Sequence, residues 1–235
     1  MSEALRDKAE FINWFKNLPK PTPEELAEEA RLDAEIEAQK QKEARIARIR
    51  YGHIPARFQC ANLATMAAFD SNQKKVVDYL VSYAKTKDKE NLIMFGDRGT
   101  GKTYMASALI AEVGGQYWTA AKLFKALRST YSKKAQKSEL EKMEEFQKLK
   151  FLVIDEIGRQ GGTNYESETL FELIDGRYSN MLPTMIITNL PMGEDFMKYM
   201  GAAVMDRMNE RMKIIPCKWG SWRKKIAEGA KGLEK

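Results

Sequence analysis

The 235-residue sequence is poor in the side chains that build metal centres and nucleophile triads. Its single histidine, His53, excludes a histidine-based metal cluster and a Ser-His-Asp triad chosen from several candidates. Its two cysteines, Cys60 and Cys217, lie far apart without metal-ligand spacing, and the expectation is two reduced thiols in a cytoplasmic protein. No apolar run approaches membrane-spanning length, and residues 1–20 lack the apolar core of a signal peptide, so a soluble protein with no membrane association is expected. The hydrophobic content of 43% is enough for one good core plus an appendage. A net charge of +6 and a pI near 9.1 make an anionic partner such as nucleic acid plausible without requiring one.

The densest signal is Gly96-Asp97-Arg98-Gly99-Thr100-Gly101-Lys102-Thr103, followed by Tyr104. It satisfies G-x-x-x-x-G-K-[ST] at every fixed position. The apolar stretch from Asn91 to Phe95 reads as a short buried strand, and Thr103 to Val113 reads as a helix. Strand, glycine loop and helix is the context a phosphate-binding loop requires. Its glycines let backbone N–H groups converge on phosphate oxygens, and the helix N-terminus adds its positive end. In that reading the loop from Gly96 to Tyr104 binds ATP, Lys102 reaches the β- and γ-phosphates, and the Thr103 hydroxyl ligates Mg²⁺.

Downstream, Phe151-Leu-Val-Ile154 is an unbroken apolar run that reads as a buried parallel strand. It ends in Asp155-Glu156, placing Asp155 in the Mg²⁺ site just behind the ion's direct ligands and Glu156 to polarise an attacking water. Pro183 to Asn189 reads as another strand, and Asn189 at its polar end either contacts the phosphate or water, or merely caps the strand. Gln116–Thr119 reads as a strand between these two pieces, followed by helices over 120–131 and 138–148. Tyr131, Lys133 and Lys134 form a basic tip carrying an aromatic ring. That combination suits single-stranded DNA, although an ordinary solvated helix end fits as well. The segment 161–165 reads as a polar loop ending in Tyr165, a second candidate for base stacking. Arg207 and Arg211 sit four residues apart and are expected on one helix face, positioned to reach a neighbour's nucleotide. Arg223 opens the last basic cluster.

The first fifty residues differ in character. Phe11, Trp14, Phe15 and Leu18 fall at helical spacing and would line one apolar face. Pro19, Pro21 and Pro23 interrupt the chain, and a charged helix pattern follows from Glu24 to Arg50, acidic first and basic last, as the helix dipole favours. Two organisations fit. Residues 1–50 are a partner-binding arm ahead of a domain at 51–235, or they pack weakly on that domain. The segment Asp70–Thr86 reads as a helix of the main domain that packs on the sheet edge.

Together these motifs resemble the AAA+ ATPases and, more narrowly, the DnaC/DnaI-type helicase loaders of bacteria and phages. The resemblance rests on 96–109, 151–160, 185–190 and especially MGAAVMDRM at 200–208. It implies an α/β fold: a P-loop NTPase core with a parallel sheet flanked by helices, no separate lid domain, and a helical N-terminal arm. It implies Walker A roles for Lys102 and Thr103, Walker B roles for Asp155 and Glu156, and a sensor role for Asn189. It also makes Arg207 a trans-acting arginine finger and Arg223 a second sensor. The expected function is ATP hydrolysis, stimulated by single-stranded DNA, in a ring or spiral that delivers a hexameric replicative DNA helicase onto DNA. The competing readings are an IstB-type transposition ATPase, a nucleotide-switched binding module with negligible turnover, and a small-molecule kinase. Asp155-Glu156, Asn189 and Arg207 together weigh against the kinase.

Overall fold

The computed structural model describes residues 13–14, 22–129, 137–159 and 162–225. The chain divides into two compact units, Met1–Ala44 and Arg45–Lys235. Among the described residues no helix is long and apolar enough to cross a membrane.

Helix α1 (Pro23–Tyr51) opens on a capping box. The Glu25 backbone N–H donates to Thr22 Oγ1 at 3.2 Å, and the Thr22 N–H donates to Glu25 Oε2 at 2.7 Å. Pro23 takes the first helical position, where its missing N–H costs nothing. No residue of α1 is buried, and Leu26, Leu32 and Ile36 are half exposed, as the sparse apolar pattern predicts. In the first unit, Trp14 is 60% exposed; Phe11, Phe15 and Leu18 lie outside the described residues.

The second unit is built on five parallel strands in the order β2-β3-β4-β1-β5. They are β1 (Asn91–Gly96), β2 (Gln116–Thr119), β3 (Leu152–Ile157), β4 (Thr184–Thr188) and β5 (Met212–Cys217). The helices are α2 (Ser71–Lys85), α3 (Lys102–Val113), α4 (Ala120–Arg128), α5 (Glu139–Gln147), α6 (Asn164–Ser179), α7 (Glu194–Met200) and α8 (Ala202–Asn209). Strand alternation sorts the core into two layers. Leu92, Met94, Val153, Met185 and Ile187 pack with Leu80 of α2 and Leu109 of α3. Ile93, Leu152, Ile154 and Ile186 point the other way, onto Leu123 and Phe124 of α4, Phe146 of α5, Leu173 of α6 and Met208 of α8. The same alternation puts Asp155 on the face of Val153, toward the first turn of α3. As expected, α2 packs on α3 and on the edge strand β5.

Several local expectations are corrected. The β3 strand does not end in Asp155-Glu156 but runs one residue further, to Ile157, through a register shift between Ile154 and Ile157. The segment ending in Tyr165 is not a loop to its end, because Thr163 and Glu166 form a capping box and Tyr165 lies in the first turn of α6. Arg211 does not share a helix with Arg207. Helix α8 ends at Asn209, and Arg211 sits in the turn before β5, paired with Asp88 at 2.7 Å. The strand β5 had no counterpart in the sequence reading.

Candidate nucleotide site

The strand order dictates where chemistry can occur. The loop leaving β1 has β4 as one neighbour, and β3 lies beyond it. The C-terminal ends of these three strands therefore bring the glycine loop, Asn189 and Asp155-Glu156 to one edge, the usual ligand crevice of a parallel sheet. A cavity of about 710 Å³ opens there. Arg98, Gly99, Gly101, Lys102, Thr103 and Tyr104 line it, together with Asp155, Glu156, Asn189 and Arg223. Gly96, Asp97 and Thr100 support the loop from behind: Thr100 is fully buried, and its hydroxyl donates to the Asp97 carbonyl at 2.9 Å.

The loop is held on both sides. Lys102 is 6% exposed, and its Nζ donates to the carbonyls of Gly96 and Asp97, each at 2.7 Å. Burial pushes its pKa down; Cys217, Asp155 and Asp97 push back, while Arg223 lowers it further. From the far side the residues after β5 bind the loop backbone. Trp219 Nε1 donates to the Thr100 carbonyl at 2.8 Å, and the Trp222 N–H donates to the Gly99 carbonyl at 2.9 Å. Gly99 has φ +86, so this position needs glycine for its conformation, and a Cβ there would also force the Ser221 hydroxyl to turn away.

Opposite the loop, Asp155 is 4% exposed and fully engaged. Its Oδ2 accepts from Thr103 Oγ1 at 2.8 Å and from the Tyr117 hydroxyl at 2.7 Å, and its Oδ1 accepts from the Glu156 N–H at 2.6 Å. Burial and the Asp155 carboxylate push the Tyr117 phenol pKa up, so it stays a donor. Glu156 takes a left-handed backbone, φ 62, at the β3 irregularity, and its carboxylate accepts from Arg159 Nη1 at 2.8 Å. Among the described residues no group of three or more His, Cys, Asp or Glu could hold a metal alone. Thr103 and Asp155 nevertheless present two hard oxygens side by side. That fits Mg²⁺, which takes one or two protein oxygens and completes its shell with phosphates and water.

The remaining candidates lie elsewhere. Arg207 on α8 is outside the cavity lining. Its Nε donates to Asp175 Oδ1 of α6 at 2.8 Å, and its guanidinium lies 5.1 Å from the Phe171 ring centroid. Tyr165 donates its hydroxyl to Glu139 at 2.8 Å, and Arg128 covers its ring at 4.5 Å, so a base would compete with Arg128 for that face. Tyr131, Lys133 and Lys134 lie outside the described residues. Sequence reasoning missed Tyr117, Trp219 and the cavity wall of Arg57, Phe58 and Met66. A tyrosine two residues before the end of a short strand beside β3 was a readable hint for Tyr117. The others carry no local signal.

The five-stranded parallel sheet, the loop after β1 and the carboxylates on β3 define a P-loop nucleotide-binding protein. The chain belongs to the family described as IstB-like ATP binding protein, which matches residues 24–230. It is similar to the replicative helicase loader DnaC of Escherichia coli strain K12, 31% identical over 142 residues. That match covers 58% of this chain and 57% of the loader, so the chain spans little more than half of that relative. A replicative helicase loader DnaC of Buchnera aphidicola subsp. Acyrthosiphon pisum is 24% identical over 92% of this chain and 97% of its own length. Among solved structures, the crystal structure of the DnaC helicase loader superposes with a TM-score of 0.62 at 19% identity, covering 69% of this chain and 99% of that one. That likeness concerns the fold.

Proposed function

We propose that the protein is an ATP-hydrolysing loader that binds a hexameric replicative DNA helicase and single-stranded DNA and delivers the helicase onto DNA. The observation that carries this reading is the similarity to a named helicase loader over 92% of this chain and 97% of that one. The site geometry supports the chemical half. The loop amides and Lys102 bind the phosphates, and Thr103 and Asp155 hold the cation. Bound there, Mg²⁺ neutralises charge on the phosphate oxygens. Glu156 orients the attacking water and accepts its proton, and Asn189 fixes the water or the γ-phosphate. Arg223 lines the same cavity and adds positive charge, while Arg207 serves the site of a neighbouring copy in a ring or spiral. In this reading residues 1–50 are the helicase-binding arm and 51–235 the ATPase domain. Phe11, Trp14, Phe15 and Leu18 form the docking stripe, and Tyr131, Lys133, Lys134 and Tyr165 contact single-stranded DNA.

A transposition ATPase is the second reading, favoured by the IstB-like family description. Co-purification separates the two. The full chain, mixed with hexameric helicases and with transposases, is expected to retain a helicase, and Trp14→Ala to weaken that complex by about 1–2 kcal/mol. Retention of a transposase alone overturns the loader reading.

A further inference from the structure

Tyr117 belongs to neither sequence motif of the site, yet it touches the residue on which cation binding depends. It lies on β2, whose register with β3 pairs Tyr117 with Val153 and Thr119 with Asp155. Its side chain therefore runs along the sheet face toward Asp155, beneath the first turn of α3. The residue is 6% exposed, its ring sits in the core layer with Val153 and Leu109, and its backbone N–H donates to the Gly52 carbonyl at 2.8 Å. Such a phenol has little freedom, so the hydroxyl it presents is a fixed donor.

Asp155 Oδ2 has two donors, Thr103 and Tyr117, and they are not equivalent. The Thr103 hydroxyl is itself a cation ligand in the function proposed above. On ligating a cation through an oxygen lone pair it would turn about its Cα–Cβ bond, so its hold on Asp155 would depend on the cation. Tyr117 is the donor that needs no rearrangement, and with the Glu156 N–H on Oδ1 it clamps both carboxylate oxygens.

We propose that Tyr117 is a positioning residue for Asp155: its hydroxyl holds the carboxylate with Oδ2 turned toward Thr103, so that a divalent cation arriving with a nucleotide meets both oxygens in place. This rests on the ATP-binding reading of the cavity. Partners that orient a ligand act on metal affinity without touching the metal, and their loss costs about 10-fold or more.

The test is Tyr117→Phe in the full chain, which keeps the ring and its packing. A fluorescent ATP analogue is titrated at fixed protein concentration, in EDTA and across a Mg²⁺ series. The Mg²⁺ midpoint is expected to rise about 10-fold, with affinity in EDTA unchanged. Because Tyr117 acts through Asp155, adding Tyr117→Phe to Asp155→Asn should move the midpoint no further. A midpoint equal to the parent's, or the same shift in the Asp155→Asn background, overturns the proposal and leaves Tyr117 a packing residue. Absence of nucleotide binding by the parent itself would instead overturn the reading beneath it, and the proposal with it.

Discussion

Glu156 concentrates the residue-scale argument. A left-handed backbone at a side chain other than glycine costs about 1 kcal/mol or more, and here it falls on the second of two adjacent carboxylates. That conformation aims the Glu156 N–H at Asp155 while leaving the side chain on the cavity wall against Arg159. Glu156→Gln keeps shape and backbone but removes the carboxylate proposed as the base. It is expected to leave nucleotide affinity intact and to lower turnover by about 100-fold, read by phosphate release. Parental turnover in this variant would refute the water-directing role. Lys102, Thr103 and Asp155 were legible because phosphate chemistry demands fixed types at fixed spacing. Tyr117 and Trp219 were not, because their partners lie 38 and 119 residues away and only the folded register brings them together.

At the scale of elements, one side chain ties three segments. Arg177 of α6 is 1% exposed. Its Nε donates to Thr184 Oγ1 at the start of β4, Nη1 to the carbonyls of Phe146 in the last turn of α5 and of Leu149 just after it, and Nη2 to the Pro183 carbonyl. Burial alone pushes its pKa down to about 9, which still leaves it cationic at neutral pH. Arg177→Met takes the guanidinium away from four buried or part-buried acceptors and is expected to cost about 3 kcal/mol or more, a fall in Tm of about 6–12 °C by calorimetry. Arg177→Lys should not rescue it, since one ammonium cannot span those acceptors. A variant as stable as the parent would mean that water replaces the guanidinium. The central strands were readable as apolar runs. β5 was not, because its exposed Lys213, Ile214 and Pro216 give no such run, and proline in a strand is tolerated mainly at an edge. Arg177 was invisible because an arginine on a helix usually faces solvent.

For the whole molecule, the separation of Arg207 from the cavity is the informative feature. Asp175 and the Phe171 ring hold the guanidinium on the α6–α8 surface, so completing a nucleotide site with it calls for a second copy. Arg207→Ala is expected to bind nucleotide like the parent but to lose turnover, by about 1000-fold if it acts as an arginine finger. Mixing it with Lys102→Ala should restore part of that turnover, because each variant supplies what the other lacks. No recovery on mixing, with weakened affinity in Arg207→Ala alone, would place its role within one chain.

The hold of the residues after β5 on the phosphate loop has an optical consequence. Two of the four tryptophans, Trp219 and Trp222, are hydrogen-bonded to the loop backbone at Thr100 and Gly99. Trp219 bonds through its indole and Trp222 through its backbone, so a shift of the Thr100 carbonyl changes the polarity and quenching around the Trp219 ring. The protein thus carries a built-in fluorophore at its nucleotide loop, and a stopped-flow emission trace can time loop rearrangement without a label.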